Sequence, residues 1–352
     1  ATEDTLCDRA RATGYVLYTR MDNDAFDNGV YIGSREHYTY QLAPGHTYAF
    51  RVTAVNAGGE SFPSETLAVR RTEGDSPRLL LVNGFDRLSG PAFADSPDSL
   101  GFDLDRDWGV PYISTTAYAG RQQVFSRQAP MVESPGGMAY SGHELQGREL
   151  AGNTFDYTFA HGRSIAAAGN YSFCSVSREV FESEELALSP YAAIDYIAGL
   201  QADMPHNLRP YKTFTPAVQR QLGRFAKQGG ALLVSGSYIG SDNVVSPADR
   251  DFVEQVLKCR FDGSARTDTT DYVSGLNLQF LIYRQPGPAH YAAHAPDALQ
   301  PAVPQAFSAF AYGQGQGAGV AYPGADYRAV VMGFPFECIC ESWVRDKAMK
   351  AL

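Results

Sequence analysis

Residues 214–240 read FTPAVQRQLGRFAKQGGALLVSGSYIG, and this stretch decides the fold class that the sequence predicts. Thr215 and Pro216 are typical of the first turn of a helix, and Gly229 is typical of the residue that ends one. The run ALLVS at 231–235 is apolar almost throughout, as expected for a strand buried on both faces of a parallel sheet. A helix followed by such a strand predicts alternating α/β structure.

The same pattern recurs along most of the chain. A second helix, capped by a serine, is predicted over 246–257, and further buried strands are predicted at 78–82, 171–175, 193–197 and 329–332. Before residue 72 the pattern changes to short alternating strands separated by turns, at 14–20, 38–42 and 47–55, which is typical of a β-sandwich.

These two patterns predict two domains. Residues 1–72 form a small all-β domain, the polar segment 73–77 is a linker, and 78–352 form the α/β domain. Two stretches interrupt the α/β alternation and are interpreted as insertions, at 84–152 and at 276–322.

Composition excludes several classes of protein. Apolar residues make up 44% of the 352 residues, which is enough for a packed core and argues against a disordered chain. The net charge of −10 argues against a nucleic-acid partner, because that affinity depends on cation–phosphate attraction. No apolar run approaches the roughly 20 residues that a membrane-spanning helix needs. The polar start ATEDT and the uncapped final helix predict a mature or excised piece, with a further domain after it.

The N-terminal strands resemble the later strands of a fibronectin type III domain. The residues that carry this resemblance are the L-x-P-G-x-x-Y pattern at 42–48, followed by Ala-Val-Asn at 54–56 and Gly-Glu-Ser at 59–61. Tyr48 would be the corner tyrosine whose hydroxyl binds the backbone of the turn. The resemblance implies a partial all-β fibronectin type III sandwich whose opening strands are missing.

The rest of the chain resembles a family of secreted Bacteroidetes proteins that are labelled xanthan lyase or N-acetylmuramoyl-L-alanine amidase. The matching segments are 82–91, 101–105, 151–156, 161–162, 171–173, 230–242 and 333–337. The resemblance implies a secreted, cell-surface or periplasmic protein whose partner is polysaccharide or peptidoglycan, with a golvesin-like domain downstream. It also implies a hydrolase or lyase, and the alternative is a non-catalytic module that binds glycan or protein.

In architecture, the predicted sheet is similar to flavodoxin-like and class I glutamine-amidotransferase-like domains. Those amidotransferases place a cysteine on a tight turn after a strand, but the corresponding turn 236–240 has Tyr238 at its centre. Glutaminase chemistry through a thiolate is therefore not expected. His290 and His294 have the spacing of zinc ligands on a helix, but Pro288 and Pro296 flank them and disfavour a helix. The sequence predicts neither a metal nor a cofactor.

The carboxyl ends of parallel strands are where ligands gather in such sheets. This rule selects residues at four strand ends, and those assigned to substrate binding are Asn83, Arg87, Ser175 and Glu337. For a hydrolase, Ser237 would be the nucleophile and His161 the base, and Asp86 or Asp242 would orient the histidine.

Two alternatives stay open at this point. A lyase would use Tyr238 as acid and base beside a cation such as Arg87 or Arg163. In a non-catalytic module, Ser235 and Ser237 would be small residues that allow close chain packing, and His161 would cap a helix and bind backbone. The sequence alone does not decide between these alternatives.

Overall fold

The computed structural model describes residues 11–60, 63–85, 93–95, 100–102, 156–203, 212–265, 272–284 and 290–352. The helices are α1 (Tyr157–Ala168), α2 (Arg178–Glu182), α3 (Pro216–Lys227), α4 (Pro247–Gln255) and α5 (Ser342–Ala351). The strands are β1 (Gly14–Met21), β2 (Val30–Gly33), β3 (Thr47–Asn56), β4 (Gly59–Glu60), β5 (Leu67–Arg70), β6 (Arg78–Asn83), β7 (Phe93–Asp95), β8 (Leu100–Phe102), β9 (Ser172–Ser177), β10 (Ala193–Gly199), β11 (Ala231–Gly236), β12 (Cys259–Ser264), β13 (Tyr272–Gly275), β14 (Leu278–Leu281), β15 (Asp297–Pro301), β16 (Phe307–Tyr312), β17 (Gly317–Pro323) and β18 (Arg328–Met332). None of the described helices is both long and apolar enough to cross a membrane.

Fourteen of these strands form one mixed sheet. Its order is β14-β13-β16-β17-β18-β11-β10-β6-β9-β5-β3-β1-β2, and β4 pairs with β3. The five central strands, β18, β11, β10, β6 and β9, run parallel to one another. The strands on both sides of this centre are antiparallel, beginning with β17 beside β18 and β5 beside β9. Two small antiparallel sheets, β12-β15 and β7-β8, lie outside it.

Helices cover both faces of the parallel centre. Along β6, Leu80 and Val82 point to one face, where they pack with side chains of α2, α3 and α4. Leu81 points to the other face and packs with α1. These strands are buried on both faces, which explains why their sequences are continuous apolar runs.

The N-terminal strands belong to the same sheet. Strand β5 pairs with β9, with Val69 opposite Cys174 and Arg70 opposite Phe173. The backbone N–H of Ala68 also donates a hydrogen bond to the Ser175 hydroxyl at 2.6 Å. Strands β3 and β1 then extend the sheet outward from β5.

The prediction of a flavodoxin-like three-layer α/β domain with a mostly parallel sheet, preceded by a partial fibronectin type III sandwich, is wrong. The described residues are mostly β, with few helices and a single mixed sheet of 14 strands. A sandwich needs a second sheet packed on the first, whereas β1, β3 and β5 continue the sheet that contains the parallel strands. The domain boundaries at 72 and 78 stay a prediction.

Strand pairing bears on two further predictions. Segment 276–322 is interpreted from the sequence as an insertion, and its strands β16 and β17 join the main sheet next to β18; the insertion itself stays a prediction. Segment 38–42 was predicted to be a strand, but it has no regular structure. Both edges of β3 are already occupied, by β5 on one side and by β1 on the other, so no partner remains there for a strand at 38–42. Most of segment 84–152 lies outside the described residues.

Candidate functional site

Helix α1 places His161 against the middle of the sheet. Asp156 at the start of α1 accepts a hydrogen bond from the Arg20 guanidinium at 2.5 Å, which ties the helix to β1. Gly162 allows close approach, because a Cβ there would lie only 2.4 Å from the Phe173 ring. His161 is consequently fully buried between the helix and the sheet.

Both ring nitrogens of His161 face buried carboxylates. Its Nδ1 lies 2.7 Å from Oδ2 of Asp195, in the middle of β10, and its Nε2 lies 3.2 Å from Oε2 of Glu337. Glu337 belongs to the 3-10 turn Phe336–Cys338, which follows the end of β18. The neighbouring Phe336 ring lies 4.8 Å from the imidazole, centroid to centroid.

The carboxylates determine the protonation state of the imidazole. Burial lowers the pKa of His161, but the charge and hydrogen bond of Asp195, together with the hydrogen bond and charge of Glu337, raise it to about 9. At neutral pH the ring is therefore a cation, and each N–H donates to one carboxylate.

Tyr291 completes this group of side chains, which we call the buried ion cluster (His161, Asp195, Tyr291 and Glu337). The Tyr291 hydroxyl donates to Oε1 of Glu337 at 2.5 Å. Burial, and then the charge of Glu337, raises the pKa of Tyr291 well above its usual value, so the hydroxyl keeps its proton. The Tyr291 ring also packs on Phe85 at 5.5 Å, at the end of β6.

The cluster leaves His161 no free nitrogen for catalysis. A general base needs an unprotonated nitrogen that faces the proton to be removed, and both nitrogens of this ring already donate to carboxylates. Within the described part of the chain, no serine, threonine or cysteine side chain bonds to His161.

Ser237 follows the end of β11 and is fully buried. Its backbone N–H donates to the Gly199 carbonyl at 2.8 Å, which joins the turn to the end of β10. Its hydroxyl has no hydrogen-bond partner among the described residues. The structure therefore does not assemble the predicted pair of Ser237 and His161.

Asp242 lies in a separate contact. It accepts hydrogen bonds from the backbone N–H groups of Thr213 at 2.8 Å and Asp203 at 3.1 Å. Burial raises the pKa of Asp242, and these two hydrogen bonds oppose the change. Its carboxylate thus holds two loops together instead of orienting His161.

Asp297, a buried residue that the sequence analysis did not select, holds the turn after β11 in place. Asp297 is buried and accepts hydrogen bonds from the backbone N–H groups of Gly240 at 2.7 Å and Ser241 at 2.9 Å. Burial raises the pKa of Asp297 to about 7. Tyr238, in the same turn, has its hydroxyl 2.6 Å from Nδ1 of His294.

The candidate substrate-binding residues are spread over several contacts. Asn83 is buried, and its amide donates to the Glu65 carboxylate. Ser175 binds the backbone of β5, as described above. Of these candidates only Glu337 lies in the buried ion cluster, beside His161. Asp86 and Arg87 lie outside the described residues.

The two histidines with zinc-like spacing, His290 and His294, do not lie on a helix. Segment 290–294 is irregular, and His290 stacks on the Tyr283 ring at 3.5 Å between centroids. In the portions of the chain that the structure describes, no three His, Cys, Asp or Glu side chains are grouped as a metal site would require.

Two members of the buried ion cluster, Asp195 and Tyr291, were not predicted from the sequence. Asp195 is the middle residue of the apolar run Ala193-Ile-Asp-Tyr-Ile197. A carboxylate in a strand that is buried on both faces needs a partner, because an isolated buried charge is costly. That single acidic residue was the signal that could have identified the cluster.

The comparisons with known proteins find partial structural likeness only. No protein-family model matches the chain, and no curated protein matches it at a significant level. The solved structures that match include a β-galactosidase from Rahnella sp. R3 (14% identity, TM-score 0.36, 56% of this chain and 26% of that one). An exo-β-1,4-mannosidase from Opitutaceae bacterium strain TAV5 matches with 10% identity, a TM-score of 0.38, and coverage of 79% and 34%. A β-galactosidase from Halorubrum lacusprofundi matches with 12% identity, a TM-score of 0.37, and coverage of 78% and 30%.

All three are enzymes that act on carbohydrate, and this chain spans about a quarter to a third of their length. The TM-scores are too low for an argument about shared fold or activity.

Proposed function

We propose that this chain is a non-catalytic module of a secreted bacterial protein, and that it binds extracellular or cell-wall polysaccharide. The observation that carries the proposal is the state of His161. The ring is a buried cation, and each of its nitrogens is bound to a carboxylate. The histidine therefore acts as a structural cation that joins α1, β10 and the turn after β18.

This state argues against a serine hydrolase. Ser237 would need His161 as an unprotonated base within hydrogen-bond reach, and its hydroxyl is instead buried without a described partner. For His161 to accept a proton, it would first have to lose one of its own to solution and give up a carboxylate contact.

Asp195 and Glu337, the two carboxylates of the buried ion cluster, do not have the arrangement of a glycosidase active site either. Glycosidases keep two carboxyl groups on either side of a space that holds the sugar and, in inverting enzymes, a water molecule. Here the imidazole of His161 fills the space between Asp195 and Glu337, and all three side chains are buried. A sugar ring has no room between them.

The glycan partner and the extracellular location follow from the family resemblance of the sequence. The proteins of that family are labelled as enzymes that act on xanthan or on peptidoglycan. A lyase remains the competing function. It would use Tyr238, whose hydroxyl contacts His294, together with Arg87 or Arg163.

The test is to incubate the purified chain with xanthan and with peptidoglycan, and to record both product masses and retention of the chain by the insoluble or immobilised glycan. We expect no product and measurable retention. Products that gain the mass of water and vanish in Ser237→Ala would establish a hydrolase and overturn the proposal. Unsaturated sugar products that vanish in Tyr238→Phe would establish a lyase. Absence of both product and retention would also overturn it.

A further inference from the structure

A cleft lies at the amino ends of the parallel strands β6 and β9. The predicted site lies at the other end of these strands, where they finish. Its volume is about 440 Å³. The residues that line it come from the end of β5, the loop before β6, the start of β9 and the loop before β10. We call it the arginine cleft, because Arg70, Arg71 and Arg78 all line it.

Among the carboxylates that the structure describes, none forms an ion pair with these three arginines, whereas Arg220 is paired with Glu184. The charge of Arg70 acts on the nearby Asp22 without a direct contact. Among the described residues that line the cleft, Asp75 is the single acidic one. Three arginines around one cleft concentrate positive charge, in a chain whose net charge is −10. An anionic ligand would balance that charge.

One of the three guanidinium groups is held in place by the backbone. Nη1 of Arg70 donates to the carbonyl oxygen of Gly45 at 2.5 Å, and the Nε of Arg70 is buried without a described partner. Arg71 and Arg78 are exposed, so a ligand from solvent can reach them. Guanidinium groups present paired N–H donors that match the two oxygens of a carboxylate.

The floor of the cleft is polar and ordered. The hydroxyls of Thr72, Ser76 and Ser172 lie within 2.5 to 2.9 Å of one another and form a closed ring of hydrogen bonds. Each hydroxyl in such a ring gives its proton to a neighbour, and the Ser172 oxygen also accepts from the Thr72 N–H at 3.1 Å, so the oxygens of Thr72 and Ser76 are the acceptors left for a ligand. Sugar hydroxyls are suitable donors for these oxygens.

One wall of the cleft is aromatic. The half-buried ring of Tyr191 lines it, and the Tyr191 hydroxyl contacts Sγ of Cys174 at 3.1 Å, which fixes the ring. A rigid aromatic face beside polar groups is the arrangement to which the apolar face of a sugar ring can bind.

We propose that the arginine cleft binds a carboxylate-bearing sugar unit, a uronate, with the carboxylate on the guanidinium groups of Arg71 and Arg78 and the ring against Tyr191. The identity of the ligand as a glycan rests on the proposed function. The preference for an acidic unit rests on the cleft alone.

The test is to measure the affinity of the folded chain for trigalacturonate, with neutral maltotriose and short polyacrylate, a carboxylate chain without sugar rings, as comparison ligands. We expect binding of trigalacturonate that weakens as salt rises, because the attraction is between charges. Binding to maltotriose and polyacrylate should be at least about tenfold weaker. Equal binding of maltotriose would contradict carboxylate recognition, and equal binding of polyacrylate would contradict recognition of the sugar.

The matched variants are Arg71→Ala with Arg78→Ala, and Arg328→Ala as the control. Arg78 and Arg328 are both exposed and are both the first residue of a parallel strand, but β18 lies three strands from β6, about 14 Å away. The double variant should lose at least about tenfold in affinity for trigalacturonate, and the control should change it less than about twofold.

The outcomes separate this inference from the proposed function. If the double variant binds trigalacturonate as the wild type does, the arginine cleft is not the binding site. The same conclusion follows if the wild type binds xanthan or peptidoglycan but not trigalacturonate. In both cases the proposed function stands. If the wild type retains none of these glycans, both fail. Circular dichroism of each variant shows whether the fold is intact.

Discussion

At the scale of single residues, His161 shows how two buried carboxylates keep a histidine protonated at neutral pH. In an unfolded chain its pKa would lie near 6.5, and in the folded protein Asp195 and Glu337 hold it at about 9. Because the folded state binds this proton more tightly, the contribution of His161 to stability is complete below pH 6.5 and is lost as pH rises through 9. At about 1.4 kcal/mol per pKa unit, the contribution is on the order of 3 kcal/mol.

This linkage predicts that the free energy of unfolding falls by a few kcal/mol between pH 7 and 9. The raised pKa of Asp297 produces a separate loss of stability, but nearly all of that loss occurs below pH 7, and only a few tenths of a kcal/mol of it falls in this interval. Urea unfolding at a series of pH values measures the fall. The variant Glu337→Gln, which removes one of the two carboxylates, should show a smaller fall. A stability that is constant over this interval in the wild type would contradict the account.

Ser237 gives the clearest distinction between a catalytic and a structural role. Its buried hydroxyl has no described hydrogen-bond partner, so removing it removes an unsatisfied polar group. We expect Ser237→Ala to leave the free energy of unfolding unchanged or to raise it by up to about 1 kcal/mol. The control is Thr213→Val, because the buried Thr213 hydroxyl donates to the Gln201 carbonyl at 2.7 Å. That variant should cost about 1 to 3 kcal/mol, and a comparable loss in Ser237→Ala would show that its hydroxyl is bonded after all.

At the scale of elements, local signals in the sequence were sufficient for many helices and strands. The helix predicted from residue 214 to residue 227 is confirmed as α3, with the Thr215 side chain accepting from the Val218 backbone N–H. The helix predicted over 246–257 is confirmed as α4, capped in the same way by Ser246. Such caps and apolar runs depend on residues only a few positions apart, and for this reason they can be recognised in a sequence.

What local signals could not give is the pairing between distant strands and side chains. The sequence placed Glu337 and His161 among the candidates, but their contact joins residues 176 positions apart. The strands at 14–20 and 47–55 were predicted, yet nothing in their own residues shows that β5 pairs with β9. A β-strand pattern predicts that a strand forms, and not which neighbour it takes. The prediction of the fold class was wrong because it required these strand pairings.

Two glycines in helices provide a matched prediction at this scale. A Cβ at Gly162 in α1 would lie 2.4 Å from the Phe173 ring, whereas a Cβ at Gly223 in α3 would have its nearest neighbour, Val256, at 3.8 Å. Gly162→Ala should therefore destabilise the protein by about 1 to 3 kcal/mol through overpacking. Gly223→Ala should stabilise it by up to about 1 kcal/mol through helix propensity. Thermal or urea unfolding checks both, and equal effects would show that α1 does not pack as closely on β9 as described.

At the scale of the whole molecule, the continuous sheet joins the N-terminal strands to the parallel centre. The joint consists of the β5–β9 pairing, the bond from Ala68 to Ser175, and the bond from the Thr72 N–H to the Ser172 hydroxyl at 3.1 Å. A shared sheet links the stability of the two parts, because unfolding either one exposes a row of unpaired backbone groups.

This joint predicts that β3 and β6 unfold together. In calorimetry we expect a single transition whose van't Hoff and calorimetric enthalpies agree. The variant Ser175→Ala, which removes a hydrogen bond at the joint, should lower the temperature of that transition without splitting it. Two separate transitions in the wild type would mean that residues 1–72 and 78–352 fold as independent domains.

The central claim is that His161 is a fixed cation within a closed cluster, and therefore not the base of an enzyme. Nitrogen-15 NMR of the histidine side chains tests this most directly, with the His161 signals assigned from their loss in His161→Gln. The account predicts that at neutral pH both ring nitrogens of His161 carry a proton, and that the ring loses one only near pH 9. A neutral ring at neutral pH, with one nitrogen unprotonated, would contradict the account and restore His161 as a candidate base.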